Sequence, residues 1–327
     1  MHACAPTSQL EIGTWTDTAF AEHGAVFCCA TRALAQVQLR PCTGSRCRLH
    51  AAHTGELETF LHRAAGYFDL AGIEAHCLTE TPCPETSSYL MAAHAVALTG
   101  ALACLANRFL TPHQLASIAH RILCEEMGQP CGVQRFMAAA LGGISLYDIS
   151  PFPRTFPIPL DLPDEVLTQL EQRTLIISTG REVKHSLYQR VQERSRTGER
   201  GAREALWELR ALPRQAADAL RMRNLAALGG VMNEHARQQR QLCPEIDTPE
   251  VQYIRTVAQR HSALGSTVNS LGSHITVLCD DTTARISLSS ALRAGGFSVT
   301  TFDLDHYGLR VWVHEPGEEP LAHPSAA

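Results

Sequence analysis

The chain has 327 residues, which is long enough for two compact domains or one large one. Its net charge is −5 and only 19% of its residues are charged, so no strong positive field is available for general nucleic-acid binding. No apolar run reaches the roughly 20 residues that a membrane helix needs. The N-terminus, MHACAPTSQLEIG, lacks the basic start and apolar core of a signal peptide. We therefore expect a cytoplasmic protein with neither a membrane span nor a nucleic-acid partner.

The 12 cysteines are too sparse in a chain of this length for a disulfide scaffold, so reduced thiols are expected. Cys42 and Cys47 flank the sequence TGSR, and His50 follows. A zinc site there would need a fourth ligand. The pattern therefore favours buried or incidental thiols, and no metal ligand is predicted.

In the first half of the chain, alternation predicts one or two strands over residues 25–40, and helical periodicity predicts a helix over 57–68. The apolar stretch 91–105 is typical of a buried helix. Thr111, Pro112 and Gln114 form a helix start with a capping box, and the helix is expected to end at Gly128.

Five prolines between residues 151 and 163 predict the crossing to a second domain. Beyond it, the patterns predict a charged, exposed segment over 189–203 and a series of regular elements. The helices are expected over 164–173, 204–223, 225–240, 248–261 and 283–294, and the strands over 174–179, 275–278, 298–301 and 309–313.

Residues 123–143, LCEEMGQPCGVQRFMAAALGG, predict a helix end, a short loop and a new apolar helix. Three further segments accompany this one: APTSQLEIGTWTD at 5–17, MNEH at 232–235 and ALGSTVNSLGSHI at 263–275. In order and spacing they resemble the GHMP superfamily of small-molecule kinases, nearest to its D-glycero-D-manno-heptose-7-phosphate kinase and fucokinase-domain branch. The resemblance implies an α+β fold with two domains, 1–155 and 156–315, a ligand cleft between them and a disordered tail over 316–327.

The chemistry of the family does not carry over. Arg135 stands where the family has its catalytic aspartate, Leu123 where it has a magnesium-binding glutamate, and Val133 where it has a lysine. Its first phosphate loop falls on residues 85–91, which lack glycine, and Glu85 adds a negative charge there. ATP and magnesium are thus implied by the resemblance, but weak or absent binding is predicted and no cofactor is assigned. The candidate residues for nucleotide binding are Thr86, Ser87, Ser88, Gly265, Thr267, Asn269, Ser270 and Gly272. The alternative for Ser87 or Ser88 is that its hydroxyl caps a helix.

The sugar side of the cleft is better preserved. Thr16 and Asp17 match a pair that lies at the sugar-binding end in the family, where a carboxylate accepts hydrogen bonds from hydroxyl groups. The alternative is that Asp17 caps a helix beginning near Thr18. The further substrate-binding candidates are Gln134, Thr179 and Arg181.

Arg135 cannot act as a base near neutral pH, and burial without a partner would cost several kcal/mol. We expect it to pair with Asp17, with Glu125 or Glu126 of the preceding helix, or with an anionic ligand. The catalytic candidates are Arg135 as an anion clamp and Glu125, His94 and His274 as acid–base groups, although His94 on an apolar helix is more often a satisfied core histidine.

Three functions remain open. The first is a small-molecule transferase repurposed from a kinase to a reaction on a phosphorylated or anionic small molecule. The second is an ATP-dependent sugar kinase of the heptose type with atypical motifs, and the third is a non-catalytic pseudokinase that binds a ligand or a partner. In each case the expected ligand is a sugar or sugar phosphate, and homodimerisation is left open.

Overall fold

The computed structural model describes residues 1–18, 20–51, 55–79, 88–180 and 185–313. Several predictions therefore lie outside the described residues. These are Glu85, Thr86, Ser87, the side chain of Ser88, Arg181 and the tail over 316–327.

The first sheet has seven strands and belongs mainly to the N-terminal half. Its strands are β1 (His2–Ile12), β2 (Gly24–Pro41), β3 (Arg48–His50), β4 (Ile73–Thr79), β5 (Ile144–Ile149), β6 (Thr155–Pro159) and β11 (Arg310–Trp312). The order is β11–β1–β2–β4–β3, with β5 beside β2 and β6 beside β5. Only the β3–β4 pair is parallel among these pairings.

Four helices cover one face of this sheet: α1 (Gly55–Tyr67), α2 (Ser88–Leu105), α3 (Pro112–His120) and α4 (Gln134–Leu141). Helix α2 is apolar on all sides, as its sequence predicted, because it lies between the sheet and the other helices. The Thr111 capping box is present. Beyond α3 the predicted helix does not continue as an α-helix, since Arg121–Glu126 is a π-helical turn.

The second sheet has four antiparallel strands in the order β10–β7–β9–β8. They are β7 (Thr174–Ser178), β8 (Ala263–Val268), β9 (His274–Cys279) and β10 (Val299–Thr301). The helices of this half are α5 (Asp164–Arg173), α6 (His185–Thr197), α7 (Arg200–Arg221), α8 (Leu225–Leu242), α9 (Pro249–Arg260) and α10 (Thr282–Ala294). Helix α7 also contacts β1, β2 and β5, so it packs against the first sheet as well.

The structure adjusts several predicted elements. The proline-rich segment contributes strand β6 to the first sheet, so the passage to the second sheet begins after Pro159. The charged segment 189–203 is largely helical, within α6 and α7. Within the segment 263–275, residues 263–268 form strand β8, residues 269–273 form a turn, and strand β9 begins at His274. No helix among the described residues is long and apolar enough to cross a membrane.

Candidate functional site

The end of β1 carries a bulge that determines where Glu11 points. The register with β2 shifts between Gln9 and Ile12. Leu10, inside the bulge, has a φ of 53°, a left-handed conformation that residues other than glycine seldom adopt. Leu10 and Ile12 are buried in the core of the C-terminal half. A bulge of this kind redirects a neighbouring side chain, and here Glu11 reaches α4.

Glu11 forms a buried ion pair with Arg135 in the first turn of α4. The Arg135 Nε donates to Glu11 Oε1 at 3.1 Å, and Nη2 donates to Oε2 at 3.5 Å. The two side chains are 5% and 1% exposed. Nη2 also donates to Ser270 Oγ at 2.7 Å, and Ser8 Oγ donates to Glu11 Oε1 at 3.2 Å. Because both charges are paired and hydrogen-bonded, the cluster can be buried without the penalty of a lone ion.

This salt bridge corrects the predicted pairing of Arg135, since Glu11 was not among the expected partners. Glu126 instead lies near Arg63 and Arg121, at 3.9 and 3.6 Å. Glu125 is exposed on the π-helical turn and does not line the pocket described below, so the structure does not place it with Arg135. Asp17 is close enough for the charge of Arg135 to act on its pKa.

Asp17 is fully buried in the loop after β1. Its Oδ2 accepts a hydrogen bond from the Gln134 backbone N–H at 3.3 Å, so it caps α4 across the fold rather than a helix near Thr18. A Cβ atom at Gly132 would lie 1.8 Å from Oδ2, so only glycine allows this approach. Asp17 Oδ1 and both polar side-chain atoms of Gln134 are buried without a hydrogen-bond partner among the described residues.

Burial raises the pKa of Asp17 to about 7, and the nearby charge of Glu11 adds to the rise, while the Gln134 N–H and Arg135 oppose it. Asp17 can therefore exchange a proton near neutral pH. A group of that kind is suited to acid–base chemistry, although structural networks also perturb pKa values.

The C-terminal half closes the cluster through the turn between β8 and β9 and through α6. Trp15, fully buried, donates from Nε1 to the Ser270 carbonyl at 3.2 Å. Its φ of 70° is a left-handed conformation that residues other than glycine seldom adopt. Tyr188 Oη accepts from the Gly132 N–H at 3.0 Å, and burial raises the pKa of this tyrosine, so it stays protonated.

A partly open pocket lies against this cluster, with about 430 Å³ of empty space that includes the solvent at its mouth. Arg135 and Tyr188 contribute polar groups to it, and Leu123 stands in its wall. At the rim, Gln129 Nε2 donates to Glu56 Oε1 at 2.9 Å. The remaining lining is mainly apolar and comprises Met91, Ala92, Pro130, Cys131, Phe136 and Leu271. The pocket thus joins both halves of the chain at the positions where the resemblance expects the base and the metal carboxylate.

The histidine candidates are buried and neutral. His94 lies on α2 but does not line the pocket. Its Nε2 is 3.2 Å from the Leu78 carbonyl, which fits the satisfied core histidine, and burial lowers its pKa. His274 contacts Ser273 Oγ at 3.0 Å. Burial, together with the charge of Arg135, lowers the pKa of His274 to about 4. At neutral pH it is a weak base, so it is poorly matched to general acid–base catalysis.

Several residues with predicted binding roles instead hold loops in place. The Thr16 hydroxyl donates to the Gly13 and Ala25 carbonyls at 2.7 and 2.8 Å. Thr179 donates to the Gly272 and Ser273 carbonyls, both at 3.0 Å. Asn269 Oδ1 accepts from the Ser273 N–H at 2.9 Å, which closes the turn on itself. Gly272 takes the positive φ of 77° that this turn needs.

Thr267 and Gly265 lie on β8, beside α8 rather than at the pocket. Thr267 Oγ1 is 2.6 Å from Nδ1 of the buried His235, whose Nε2 accepts from the Thr14 N–H at 3.3 Å. Burial lowers the pKa of His235 to about 3, so the ring is neutral, with its proton on Nδ1. A Cβ atom at Gly265 would meet the Gly229 carbonyl at 2.1 Å, which explains this glycine by helix–strand packing.

Cys124 and Cys131 form a disulfide, which corrects the expectation that the thiols are reduced. Their Cα atoms are 6.2 Å apart because the chain turns back at Gly128, where φ is 71°. Cys131 lines the pocket, so the disulfide fixes part of its wall. The Cys42 and Cys47 thiols are free.

The comparisons with known proteins agree with this architecture. No family model matches the chain, and no curated protein does. Three solved structures align over almost the whole chain at low sequence identity. A D-glycero-D-manno-heptose 1-phosphate kinase from Bacteriodes thetaiotaomicron is 14% identical, with a TM-score of 0.76, over 96% of this chain and 99% of its own. The Methanococcus jannaschii mevalonate kinase is 14% identical, with a TM-score of 0.71, over 93% and 98%. The Lactococcus lactis galactokinase, solved with galactose, is 15% identical, with a TM-score of 0.72, over 94% of each chain.

The chain has the GHMP-kinase fold. The predicted α+β class and the predicted superfamily resemblance are confirmed at the level of the fold. The fold matches those of sugar and sugar-phosphate kinases. The finer likeness to the heptose-7-phosphate kinase branch stays a prediction.

Magnesium does not fit the residues at the implied position. A hard divalent cation takes oxygen ligands, preferably carboxylates. Leu123 offers none, Arg135 repels a cation, and Glu11 is committed to Arg135. No step in this pocket is therefore derived through magnesium.

Proposed function

We propose that this GHMP-fold protein binds a small molecule in the pocket between its halves and does not transfer a phosphoryl group from ATP–magnesium there. The observation that carries the proposal is the buried Glu11–Arg135 pair, which occupies the position of the family's base. Phosphoryl transfer depends on positioning and on stabilising negative charge around a metal-bound phosphate. A guanidinium already neutralised by its own carboxylate supplies neither a base nor a metal ligand.

The lining of the pocket supports a ligand that combines an apolar portion with an acidic group. Leu123, Phe136 and Met91 offer an apolar wall. Arg135 is the cationic group of the lining, and guanidinium groups interact favourably with carboxylates and phosphates. A sugar phosphate or another small acid remains the expected class, as the sequence predicted. A cytoplasmic location and a homodimer remain predictions.

The test of the kinase part measures ADP release with ATP and magnesium over a panel of sugars, sugar phosphates and mevalonate. We expect no release above that of a sample treated with a chelator. An authentic GHMP kinase assayed in parallel gives the positive control. Magnesium-dependent ADP release that follows this protein through purification would contradict the proposal.

The binding part is tested by a thermal-shift screen of small acids with a pocket-filling variant. Ala92 is buried in the pocket wall, so Ala92→Leu reduces the space without touching the ion pair. Ala291→Leu, a half-buried position on α10, is the matched control. A ligand that stabilises the wild type and Ala291→Leu but not Ala92→Leu occupies the pocket. Equal stabilisation of all three would place the ligand elsewhere.

A second function, a non-kinase enzyme, is favoured by one observation. Asp17 Oδ1 and the Gln134 side-chain amide are buried polar groups without hydrogen-bond partners among the described residues. The pKa of the Asp17 carboxyl is about 7. Such groups in a site often await a ligand or take part in chemistry. In that case Asp17 exchanges the proton and Arg135 holds the acid. Asp17→Asn would then abolish turnover of the screened ligand while leaving its binding intact, whereas a pure binding protein shows no turnover in either form.

A further inference from the structure

Three metal-ligating side chains meet on the first sheet, and none of them lines the pocket described above. Strands β3 and β4 are parallel, and their register places His50 beside His76 and Arg48 beside Glu74. Glu74 and His76 are two residues apart on one strand, so they share a face. The three side chains His50, Glu74 and His76 are therefore gathered on one surface by strand pairing.

Their geometry brings the donor atoms close together. His50 Nε2 lies 2.9 Å from Glu74 Oε1, and His76 Nε2 lies 4.0 Å from the same oxygen. The imidazole rings stack with their centroids 4.5 Å apart. One donor atom from each residue lies within 4.8 Å of the others. All three side chains are accessible, at 51%, 33% and 38% exposure for His50, Glu74 and His76.

We propose that His50, Glu74 and His76 form a binding site for a divalent first-row transition metal, with zinc as the preferred physiological ion. Two imidazole nitrogens and one carboxylate oxygen are a familiar zinc donor set, and a water completes the tetrahedron. At zinc–ligand distances near 2.0–2.1 Å the donors would lie about 3.3 Å apart, so small rotations of exposed side chains suffice. The imidazoles also favour zinc over calcium or magnesium, which prefer all-oxygen sites.

This site replaces the one considered from the sequence. The sequence groups His50 with Cys42 and Cys47, but neither cysteine is among the donors that lie within 4.8 Å of one another here. Cys47 is buried in the core of the N-terminal half, and the Cys42 Sγ donates to the Arg46 carbonyl at 3.8 Å. The residues that join His50 lie more than twenty positions further along the chain, so only strand pairing brings them together.

Two arginines moderate the expected affinity. Arg48 and Arg40 are both register neighbours of Glu74, one on each adjoining strand. Their positive charges oppose a cation without removing any of the three donors. We therefore expect weaker binding than at a buried structural zinc centre.

The experiment titrates Zn²⁺ into the tag-free, metal-stripped full chain by calorimetry and repeats the titration with Co²⁺, whose visible spectrum reports its ligands. We expect one equivalent to bind with a nitrogen–oxygen spectrum that lacks thiolate charge transfer. Because protons compete for imidazole nitrogen, binding should weaken as the pH is lowered. His50→Ala, His76→Ala and Glu74→Gln should each reduce the affinity by more than the roughly tenfold lost when an outer-shell partner is removed.

Two controls make the result decisive. His62→Ala removes another exposed histidine on α1, and Cys42→Ser removes the most accessible thiol near the site; both should leave the affinity unchanged. The ligand variants alter exposed positions, so their folding is checked by circular dichroism before titration. The proposal is overturned if no equivalent binds, if binding survives all three ligand variants, or if it disappears in Cys42→Ser.

Discussion

Two charged clusters in this chain are built in opposite ways. The Glu11–Arg135 pair is nearly inaccessible, and Ser8 and Ser270 each add a hydrogen bond to it. The His50–Glu74–His76 cluster lies on the surface, with a third to a half of each side chain exposed. The buried pair is surrounded by the fold and contributes to its stability. The exposed cluster depends on the fold only for the strand register that brings its three residues together.

The difference matters for function because burial decides whether a charged group is available. In the low-dielectric interior a charge must be compensated by the protein itself, so little of Arg135 is left for catalysis. On the surface, water compensates a histidine–glutamate cluster at little cost, and an ion can displace that water. The comparison predicts large effects of substitution in the buried cluster and small ones in the exposed cluster.

The largest effect is expected for Arg135→Ala. It leaves the Glu11 carboxylate buried without its partner, which typically costs about 3–5 kcal/mol. Urea denaturation followed by circular dichroism measures the change. The double variant Arg135→Met, Glu11→Gln removes both charges and should recover most of the loss. A single variant within about 1 kcal/mol of the wild type would mean that the pair is not buried in solution.

Asp17 is expected to make stability depend on pH. Its pKa is raised from the ordinary 3.8 to about 7 in the folded protein, so the folded state keeps a proton that the unfolded state releases. The stabilisation is full below pH 3.8 and is lost as the pH rises to about 7. A tenfold difference in proton affinity between the two states is worth about 1.4 kcal/mol, so the whole loss is on the order of 4 kcal/mol.

Asp17→Asn removes this titration while keeping an oxygen that can accept from the Gln134 N–H. The difference in unfolding free energy between wild type and variant, measured across that pH range, should therefore shift in favour of the variant as the pH rises. A difference that stays constant with pH would show that Asp17 titrates as an ordinary carboxyl.

Removing the disulfide is expected to have an effect on stability between those of the buried and the exposed cluster. Cys124 and Cys131 are seven residues apart, and closing so short a loop stabilises by about 2–3 kcal/mol in the chain-entropy account. The paired variant Cys124→Ser, Cys131→Ser should lose that amount in denaturant, and Cys104→Ser, at an exposed free thiol, should lose nothing. A reducing cytoplasm disfavours disulfides. Counting free thiols in protein purified under non-reducing conditions therefore also tests the predicted cytoplasmic location, because an intact disulfide would speak against it.

The smallest effect is expected for His50→Ala in the presence of a chelator. An exposed histidine–carboxylate contact contributes less than about 1 kcal/mol, so the unfolding free energy should change by about 0.5 kcal/mol or less. If His50→Ala lowered the unfolding free energy as much as Arg135→Ala, burial would not distinguish the two clusters. His62→Ala serves again as the matched control.

Local signals in the sequence were enough for much of the fold. The capping box at Thr111, the apolar length of α2 and the cap at Thr248 all specify their helices from nearby residues. The site depends on contacts that no local pattern records. Glu11 and Arg135 are 124 positions apart, and they meet because the β1 bulge turns the Glu11 side chain toward α4. The available sequence signal was a single charged residue at the end of an apolar strand.

The same limit applies elsewhere in the site. No role was predicted for Trp15, whereas in the structure it takes a left-handed φ and its indole donates to the Ser270 carbonyl. Tyr188 carried no motif at all. The sequence placed His50 after Cys42 and Cys47 and gave no sign of its contact with Glu74, because the parallel pairing of β3 with β4 could not be inferred from spacing.

Strand β11 has a consequence for how the protein is made. Residues Arg310–Trp312 pair with His2–Cys4, so the outer neighbour of the first strand comes from the far end of the described chain. While the ribosome is still translating the intervening segments, β1 carries a row of unpaired backbone groups along that edge. Contacts of such long sequence separation slow folding. The first sheet therefore cannot be completed before residues 310–312 have been synthesised, and until then this edge of β1 is open to pairing with other chains.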